Sequence, residues 1–252
     1  MKLNMQEKLD EIYNNDLNKA ELKDIFNADT QKVSAPLLLN INNNYLNSNL
    51  KIMFIGKETN LWWGKLQNFI DYADSTSILT NRYNAHFFGG TVVSSKNKNE
   101  FKEYKAEQWK NPFFTQFKKI RKELLGDKKG SLVWNNLLKM DSGEVGTYSK
   151  NTKNDPRVVS ISKNIFVKEF NLLKPDIAIF ATSHTYDKVI KDFFPDYETL
   201  EIIEPKSLWK FKIGNTICYR TWHPSTIKYN AKKDKLLYYD DIILDIKKEF
   251  NL

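Results

Sequence analysis

Two short stretches of the sequence place polar side chains where predicted strands end, and a third places two asparagines within a predicted strand. Gly56-Lys57-Glu58 follows the apolar run at 52–55, Asn135-Asn136 lies within a second apolar segment, and His223-Pro224-Ser225 follows a further one. A carboxylate and an imidazole can transfer protons and stabilise charge, and an amide offers both a donor and an acceptor. In open α/β sheets, ligands bind outside the carboxyl ends of the strands. These side chains are therefore the first candidates for a functional site.

The elements that must position these residues are strands and helices that alternate along the chain. The principal strands are predicted at 52–55, 131–140, 176–183 and 216–222, with shorter ones at 198–203 and 209–213. Helices are predicted as a pair within 3–28 and at 66–73, 111–126, 158–173, 186–194 and 236–250. This alternation predicts an α/β fold, a three-layer α/β/α sandwich with a mainly parallel four-stranded central sheet.

The length predicts one domain, residues 1–252, with residues 1–45 as an N-terminal helical extension and 65–110 as an insertion after the first strand. Nothing in residues 1–8 resembles a secretion signal, because the segment is polar. No apolar stretch approaches the ~20 residues that cross a bilayer. We therefore expect a cytoplasmic, monomeric protein that has no membrane partner.

The charge and the cysteine content narrow the choice of partners. A net charge of +8 and a pI near 9.2 predict an anionic partner, with nucleic acid the leading candidate, although many basic proteins bind none. Cys218 is the only cysteine, which excludes an intramolecular disulfide framework and a four-cysteine zinc or iron–sulfur site. No cluster has metal-ligand spacing, and we expect neither a metal nor another cofactor.

The three polar motifs resemble those of the uracil-DNA glycosylase superfamily. Its members carry Gly-x-Asp-Pro-Tyr or a related motif after the first strand, an asparagine in a later strand and His-Pro-Ser near the C-terminus. The run at 166–180 is also similar to that family's helix followed by a Pro-initiated strand. The resemblance covers about residues 50–250. It implies the family's fold and a DNA-repair hydrolase that flips a base out of DNA and excises it.

The resemblance assigns a role to one residue of each motif. Glu58 stands where the family has a carboxylate that orients the attacking water and stabilises the positive charge on the sugar. Asn136, in preference to Asn135, matches the base-reading asparagine. His223 matches the residue that stabilises the anionic leaving base. The alternatives are a surface glutamate, a structural amide and a turn histidine.

Further residues are candidates for contacts to DNA or to the base. Ile227 stands at the position of the family's duplex wedge, and a buried loop anchor is the alternative. Trp62 and Trp63, with Phe69, could form a stacking floor for the base, or belong to the core. Ser225 of the C-terminal motif is a candidate DNA contact. Four basic residues flank the motif as candidate phosphate contacts, or as a solvated charged face: Arg220, Lys228, Lys232 and Lys233.

Two departures from the family's first motif bear on the substrate. Thr59 replaces the proline, and Asn60 stands where the uracil enzymes have a tyrosine that blocks the methyl group of thymine. Asn60 is therefore expected to border the base without excluding a 5-substituent. Both residues also suit the cap of an ordinary strand-to-helix turn.

Three functions are consistent with the sequence. The first is a DNA glycosylase for uracil or another modified base. The second is a non-catalytic nucleic-acid-binding protein on the same fold, and the third is a hydrolase or binder of small nucleotides or nucleosides.

Overall fold

The computed structural model describes residues 4–142, 152–227 and 230–252. The helices are α1 (Met5–Asp16), α2 (Lys19–Phe26), α3 (Asn43–Leu46), α4 (Leu66–Asp71), α5 (Ser75–Phe88), α6 (Pro112–Leu125), α7 (Pro156–Leu173), α8 (Asp187–Phe193) and α9 (Leu237–Glu249). The strands are β1 (Ile52–Gly56), β2 (Gly90–Val93), β3 (Phe101–Tyr104), β4 (Leu132–Asn136), β5 (Ile177–Phe180), β6 (Glu198–Glu204), β7 (Leu208–Ile213) and β8 (Thr216–Arg220). Short 3-10 helices cover Asn27–Gln31, Thr152–Asn154 and His184–Tyr186.

The chain divides into two compact units. Unit 1 comprises Met1–Ile41, Glu58–Gln108 and Asn136–Leu173. Unit 2 comprises Asn42–Lys57, Trp109–Asn135 and Lys174–Leu252. Each unit is described by itself below.

Unit 2 is built around a mixed sheet with the strand order β4-β1-β5-β8-β7-β6, which has six strands within the described ranges. β1 pairs in parallel with β5, and β5 pairs in parallel with β8. β7 is antiparallel to β8, and β6 is antiparallel to β7. The predicted α/β class is thus confirmed.

The predicted four-stranded, mainly parallel sheet is wrong. The two shorter strands foreseen in the sequence, β6 and β7, form a hairpin that continues the sheet beyond β8, where Phe211 lies opposite Cys218. An uncovered β8 edge would leave backbone N–H and C=O groups without partners, and β7 supplies those partners. The antiparallel pairing follows because the tight turn between β7 and β8 reverses the chain.

The core of unit 2 lies where helices cover β1. Every residue of β1 is buried, as its unbroken apolar run predicts. Phe54 contacts Phe113 and Phe117 of α6, with ring centroids 4.8 Å and 6.1 Å away, and Tyr239 of α9 at 6.1 Å. Burying one such phenyl ring contributes roughly 1.5–3 kcal/mol to stability.

Local capping signals fix the bounds of α6. The Asn111 side chain accepts a hydrogen bond from the Phe114 N–H at 3.0 Å, and Pro112 occupies the first turn. Gly126 ends the helix with φ +62°, a conformation that glycine adopts without strain. These are the signals from which the sequence predicts the helix, and the prediction is confirmed.

Unit 1 contains the predicted N-terminal helix pair, α1 and α2, and the predicted long helix α7, against which α1 packs. Between α1 and α7 the Tyr13 hydroxyl and the Lys139 ammonium both donate to the Glu169 carboxylate, at 2.8 Å and 2.9 Å. All three side chains are buried. Burial raises the pKa of Tyr13 and lowers the pKa of Lys139.

The insertion at 65–110 is more regular than its sequence suggests. The predicted helix at 66–73 is confirmed as α4, but α5 and the β2–β3 hairpin were not predicted. Ala85 of α5 packs with Val92 and Tyr104 of the hairpin in a small apolar cluster. Gly89 joins the two elements with φ +79°, and a Cβ there would lie 3.0 Å from the Tyr104 carbonyl oxygen.

Within the part of the chain that the structure describes, every helix is too short or too polar to traverse a bilayer.

Candidate functional site

The loop after β8, residues 221–227, is held by the loop after β5, and we call it the His223 loop. The Ser183 N–H donates to the Thr221 carbonyl at 2.9 Å, and the Thr221 N–H donates to the Phe180 carbonyl at 3.0 Å. The His223 N–H in turn donates to the Ser183 Oγ at 2.9 Å. Ser183 has φ +62°, a strained conformation that costs roughly 1–3 kcal/mol and occurs preferentially at functional sites. The backbone of His223 is therefore fixed from a neighbouring strand.

The imidazole of His223 is held as one neutral tautomer. The Ser225 N–H donates to Nδ1 at 3.2 Å, so Nδ1 carries no proton and the neutral ring bears its proton on Nε2. The Phe113 ring stacks on the imidazole, with centroids 5.5 Å apart and planes 21° apart. The hydrogen bonds described for His223 engage its backbone N–H and Nδ1, and neither engages Nε2.

Burial, together with the smaller effect of the positive charges of Lys57 and Lys235, lowers the pKa of His223 to about 3. The ring is neutral at physiological pH. A neutral, fixed imidazole whose Nε2–H is not engaged by the described hydrogen bonds can donate one to a carbonyl oxygen that gains negative charge. The same group is a poor source of a whole proton, because its ring is already neutral. The arrangement therefore suits electrostatic stabilisation of an anion.

An aromatic cluster supports the imidazole from the first turn of α6. Phe113 lies 4.8 Å from Phe54 and 6.3 Å from Trp134, ring centroid to centroid. Trp134 belongs to β4 and also meets the Phe114 ring at 5.1 Å. Rings on β1, β4 and α6 thus fix the plane of Phe113 and, through it, that of His223.

Ile227 lies at the far end of the His223 loop and is 90% exposed. The alternative prediction, a buried loop anchor, is therefore wrong. Ser225 is also exposed, whereas Lys228 lies outside the described residues. The wedge role of Ile227 stays a prediction, and its exposure is the property that a wedge needs.

Arg220 is buried, unlike the surface cation expected of a phosphate contact. Its Nε lies 2.7 Å from the Asp187 carboxylate, and it also donates to the Lys206 carbonyl at 2.8 Å. A phosphate contact by Arg220 would require this pair to open. Lys233 is ion-paired with Asp241.

In unit 1 the segment that follows β1 is anchored by a buried carboxylate. The Thr59 hydroxyl donates to Asp141, and it lies 2.8 Å from the Ser34 Oγ. Asp141 also accepts the Leu61 N–H at 3.1 Å, and burial raises its pKa. Thr59 therefore ties the segment that follows Glu58 to the buried Asp141 carboxylate.

Asp141 was missed by the sequence prediction. It directly follows the predicted strand at 131–140, so the rule that ligands bind beyond the carboxyl ends of strands could have found it. Glu58 itself is half-buried, and Asn60 is exposed.

Both tryptophans of the predicted stacking floor are buried. The Trp63 indole N–H donates to the Val93 carbonyl at 2.9 Å, which fixes that ring on the β2–β3 hairpin. Trp62 lies against the Arg82 guanidinium, 4.6 Å from its ring centroid. Phe69 is buried as well. The burial of these three rings agrees with the alternative interpretation, that they belong to the core.

The two asparagines of β4 are buried, as their place in the apolar segment suggests. The Asn135 amide donates to the Met53 sulfur at 3.8 Å, a weak bond. Asn136 is the last residue of the strand. A buried amide at a strand end suits either base reading or a structural role, and both stay predictions.

The predicted site residues fall into both units. His223, Ser225, Ile227 and Arg220 belong to unit 2. Lys232 and Lys233 also belong to unit 2. The candidates in unit 1 are Glu58, Asn60, Trp62, Trp63, Phe69 and Asn136. No cluster of three or more His, Cys, Asp or Glu side chains within the described ranges is suited to hold a metal.

No protein-family model matches the chain, and no curated protein is significantly similar to it.

Proposed function

We propose that the chain is a DNA glycosylase of the uracil-DNA glycosylase type, which flips uracil or another modified base from DNA and hydrolyses its N-glycosidic bond. The three-layer sandwich, the cytoplasmic location, the monomeric state and a role in DNA repair belong to the same proposal. Glu58 would position the water, Asn136 would read the base and Asn60, Trp62 and Trp63 would border it.

The observation that carries the proposal is the state of His223. Breaking an N-glycosidic bond leaves the pair of electrons on the base, so a carbonyl oxygen of the departing pyrimidine gains negative charge. A neutral Nε2–H donor at that oxygen stabilises the charge as it develops. The bond from Ser225, the Phe113 ring and the pKa of about 3 together favour this donor.

Two further observations support a nucleic-acid substrate. Ile227 extends from the His223 loop, 90% exposed, as an apolar side chain that can enter a base stack. The net charge of +8 favours association with a polyanion. The exposed Asn60 gives no steric reason to reject a 5-substituted pyrimidine, so the proposal does not name uracil alone.

The test is excision from defined oligonucleotides. Duplex and single-stranded oligonucleotides that carry uracil, a thymine mismatch or a 5-substituted pyrimidine are incubated with the protein, and abasic sites are then cleaved. We expect abasic product from at least one substrate. We expect its rate to fall by roughly 10²–10³-fold in His223→Asn, because one charge-stabilising donor is lost.

Glu58→Gln tests the predicted water-positioning carboxylate, and His184→Asn is the matched control because it removes a different imidazole of unit 2. No product from the wild-type chain, or equal product from wild type and His223→Asn, would defeat the proposal. Binding without product would favour the non-catalytic alternative, and base release only from free nucleosides or nucleotides would favour the small-molecule hydrolase.

A further inference from the structure

Arginine pairing within the chain is uneven. The chain has four arginines, and all four lie in described segments. Three of them are paired with aspartates: Arg121 with Asp127 at 2.7 Å, Arg157 with Asp155 at 2.9 Å, and Arg220 with Asp187 at 2.7 Å. Arg82 of α5 is the exception. Among the described residues, no carboxylate forms an ion pair with it.

Arg82 lies between two aromatic rings of unit 1. Its guanidinium carbon is 4.6 Å from the Trp62 ring centroid and 5.1 Å from that of Tyr104. One terminal nitrogen donates to the Tyr104 hydroxyl. The Nε atom is buried and has no hydrogen-bond partner among the described residues. Burial lowers the pKa of the guanidinium, yet an arginine stays protonated at any physiological pH.

A guanidinium in this position loses part of its hydration, because its Nε atom is buried. Ring faces attract a guanidinium, but each offsets only a part of the lost hydration. The rings also hold the planar group in one orientation, so little further freedom is lost when an anion binds. Arg82 therefore has a cation held between two rings, and among the described residues its Nε–H has no acceptor and its charge has no paired carboxylate.

We propose that Arg82 binds a phosphate group. The planar fork of a guanidinium matches two phosphate oxygens with two parallel N–H bonds, and the net charge of +8 draws polyanions to the chain. The phosphate belongs either to the backbone of a nucleic-acid strand or to a mononucleotide. This inference goes beyond the proposed function, because it holds equally for a protein that binds phosphate and cleaves nothing.

The competing explanation is that Arg82 serves only as a structural link between α5, the hairpin and Trp62. Arg82→Met separates the two explanations, because methionine keeps an apolar stem between the rings and loses the charge. Arg157→Gln is the matched control, since that arginine of unit 1 already has Asp155 and Asp29 as partners.

The experiment measures dissociation constants for three probes: inorganic phosphate, a nucleoside 5′-monophosphate and a single-stranded oligonucleotide. We expect Arg82→Met to raise the dissociation constant of at least one probe by about ten- to a hundredfold, the usual effect of losing a charge-assisted hydrogen bond. Arg157→Gln should bind like the wild type. For the oligonucleotide, the slope of log K against log salt should shrink by about one in Arg82→Met.

The three probes distinguish the two sources of phosphate. A loss confined to the oligonucleotide assigns Arg82 to a strand backbone, and a loss for the monophosphate or inorganic phosphate assigns it to a small ligand. Circular dichroism checks that each variant is folded. If Arg82→Met does not fold, Arg82→Lys replaces it in the binding measurements, because lysine keeps the charge but lacks the planar fork. The inference would be overturned if the folded variant bound every probe with wild-type affinity. It would also be overturned if the wild type bound none of the probes.

Discussion

The most direct test of the His223 geometry is its effect on stability as the pH falls. The folded imidazole has a pKa of about 3, against 6.5 for an unperturbed histidine. Between these two values the unfolded chain binds a proton that the folded chain does not. Stability from this group is therefore complete above 6.5 and is lost progressively as the pH falls towards 3.

The magnitude follows from the gap between the unfolded pKa and the chosen pH. At pH 5 that gap is about 1.5 units, and each unit is worth about 1.4 kcal/mol. Lowering the pH from 7 to 5 should therefore reduce the free energy of unfolding by about 2 kcal/mol through His223 alone. The figure is insensitive to the folded pKa as long as that value lies below about 4.

The assay is urea unfolding of the wild type and His223→Asn at both pH values. The asparagine oxygen can still accept the Ser225 N–H but does not titrate. Other titrating groups affect both proteins alike, so the difference between the two pH-dependent losses isolates His223. We expect the wild type to lose about 2 kcal/mol more than the variant. Equal losses would refute the neutral imidazole and the hydrogen-bond donor inferred from it.

Three other substitutions test the remaining structural claims. Thr59→Val leaves the buried Asp141 carboxylate without one donor, and urea unfolding should show a loss of roughly 1–3 kcal/mol; an unchanged midpoint would contradict the anchor. Lys139→Met leaves the buried Glu169 carboxylate without its ion-pair partner and should lower the free energy of unfolding by roughly 3–5 kcal/mol. Adding Glu169→Leu in a double variant should restore most of this loss. Ile227→Ser should change stability by less than about 0.5 kcal/mol, since the side chain is 90% exposed, yet lower excision from duplex relative to single-stranded DNA roughly tenfold; a parallel loss on both substrates would argue against a wedge.

Elements with strong local signals could be predicted from the sequence. α6 has its cap at Asn111, Pro112 in the first turn and Gly126 at its end, and its predicted bounds agree closely with the observed ones. β1 is an unbroken apolar run that is buried throughout. These signals act over a few residues, so no tertiary partner is needed to recognise them.

Elements stabilised by distant partners could not be predicted so well. α5 has no strong apolar periodicity, and it is the packing of Ala85 against Val92 and Tyr104 that buries one of its faces. The membership of β6 and β7 in the main sheet depends on pairing with β8, which is a choice among strand edges. The strand propensities of the residues do not decide which edges pair, because several pairings suit the same residues.

The sequence by itself determined that a histidine followed by proline and serine ends a strand of an α/β sheet. Only the tertiary structure decided the state of that histidine. Its neutrality depends first on burial and then on the positive charges of Lys57 and Lys235, whereas the Ser225 N–H selects its tautomer and the Phe113 ring stacks on it. Lys57, Phe113 and Lys235 all lie outside the His223 loop. Likewise, the sequence displays Arg82 as one cation among 39, whereas its lack of a carboxylate within the described residues emerges only once the chain has folded. Burial and counter-charge are properties of the assembled surroundings, and no local pattern encodes them.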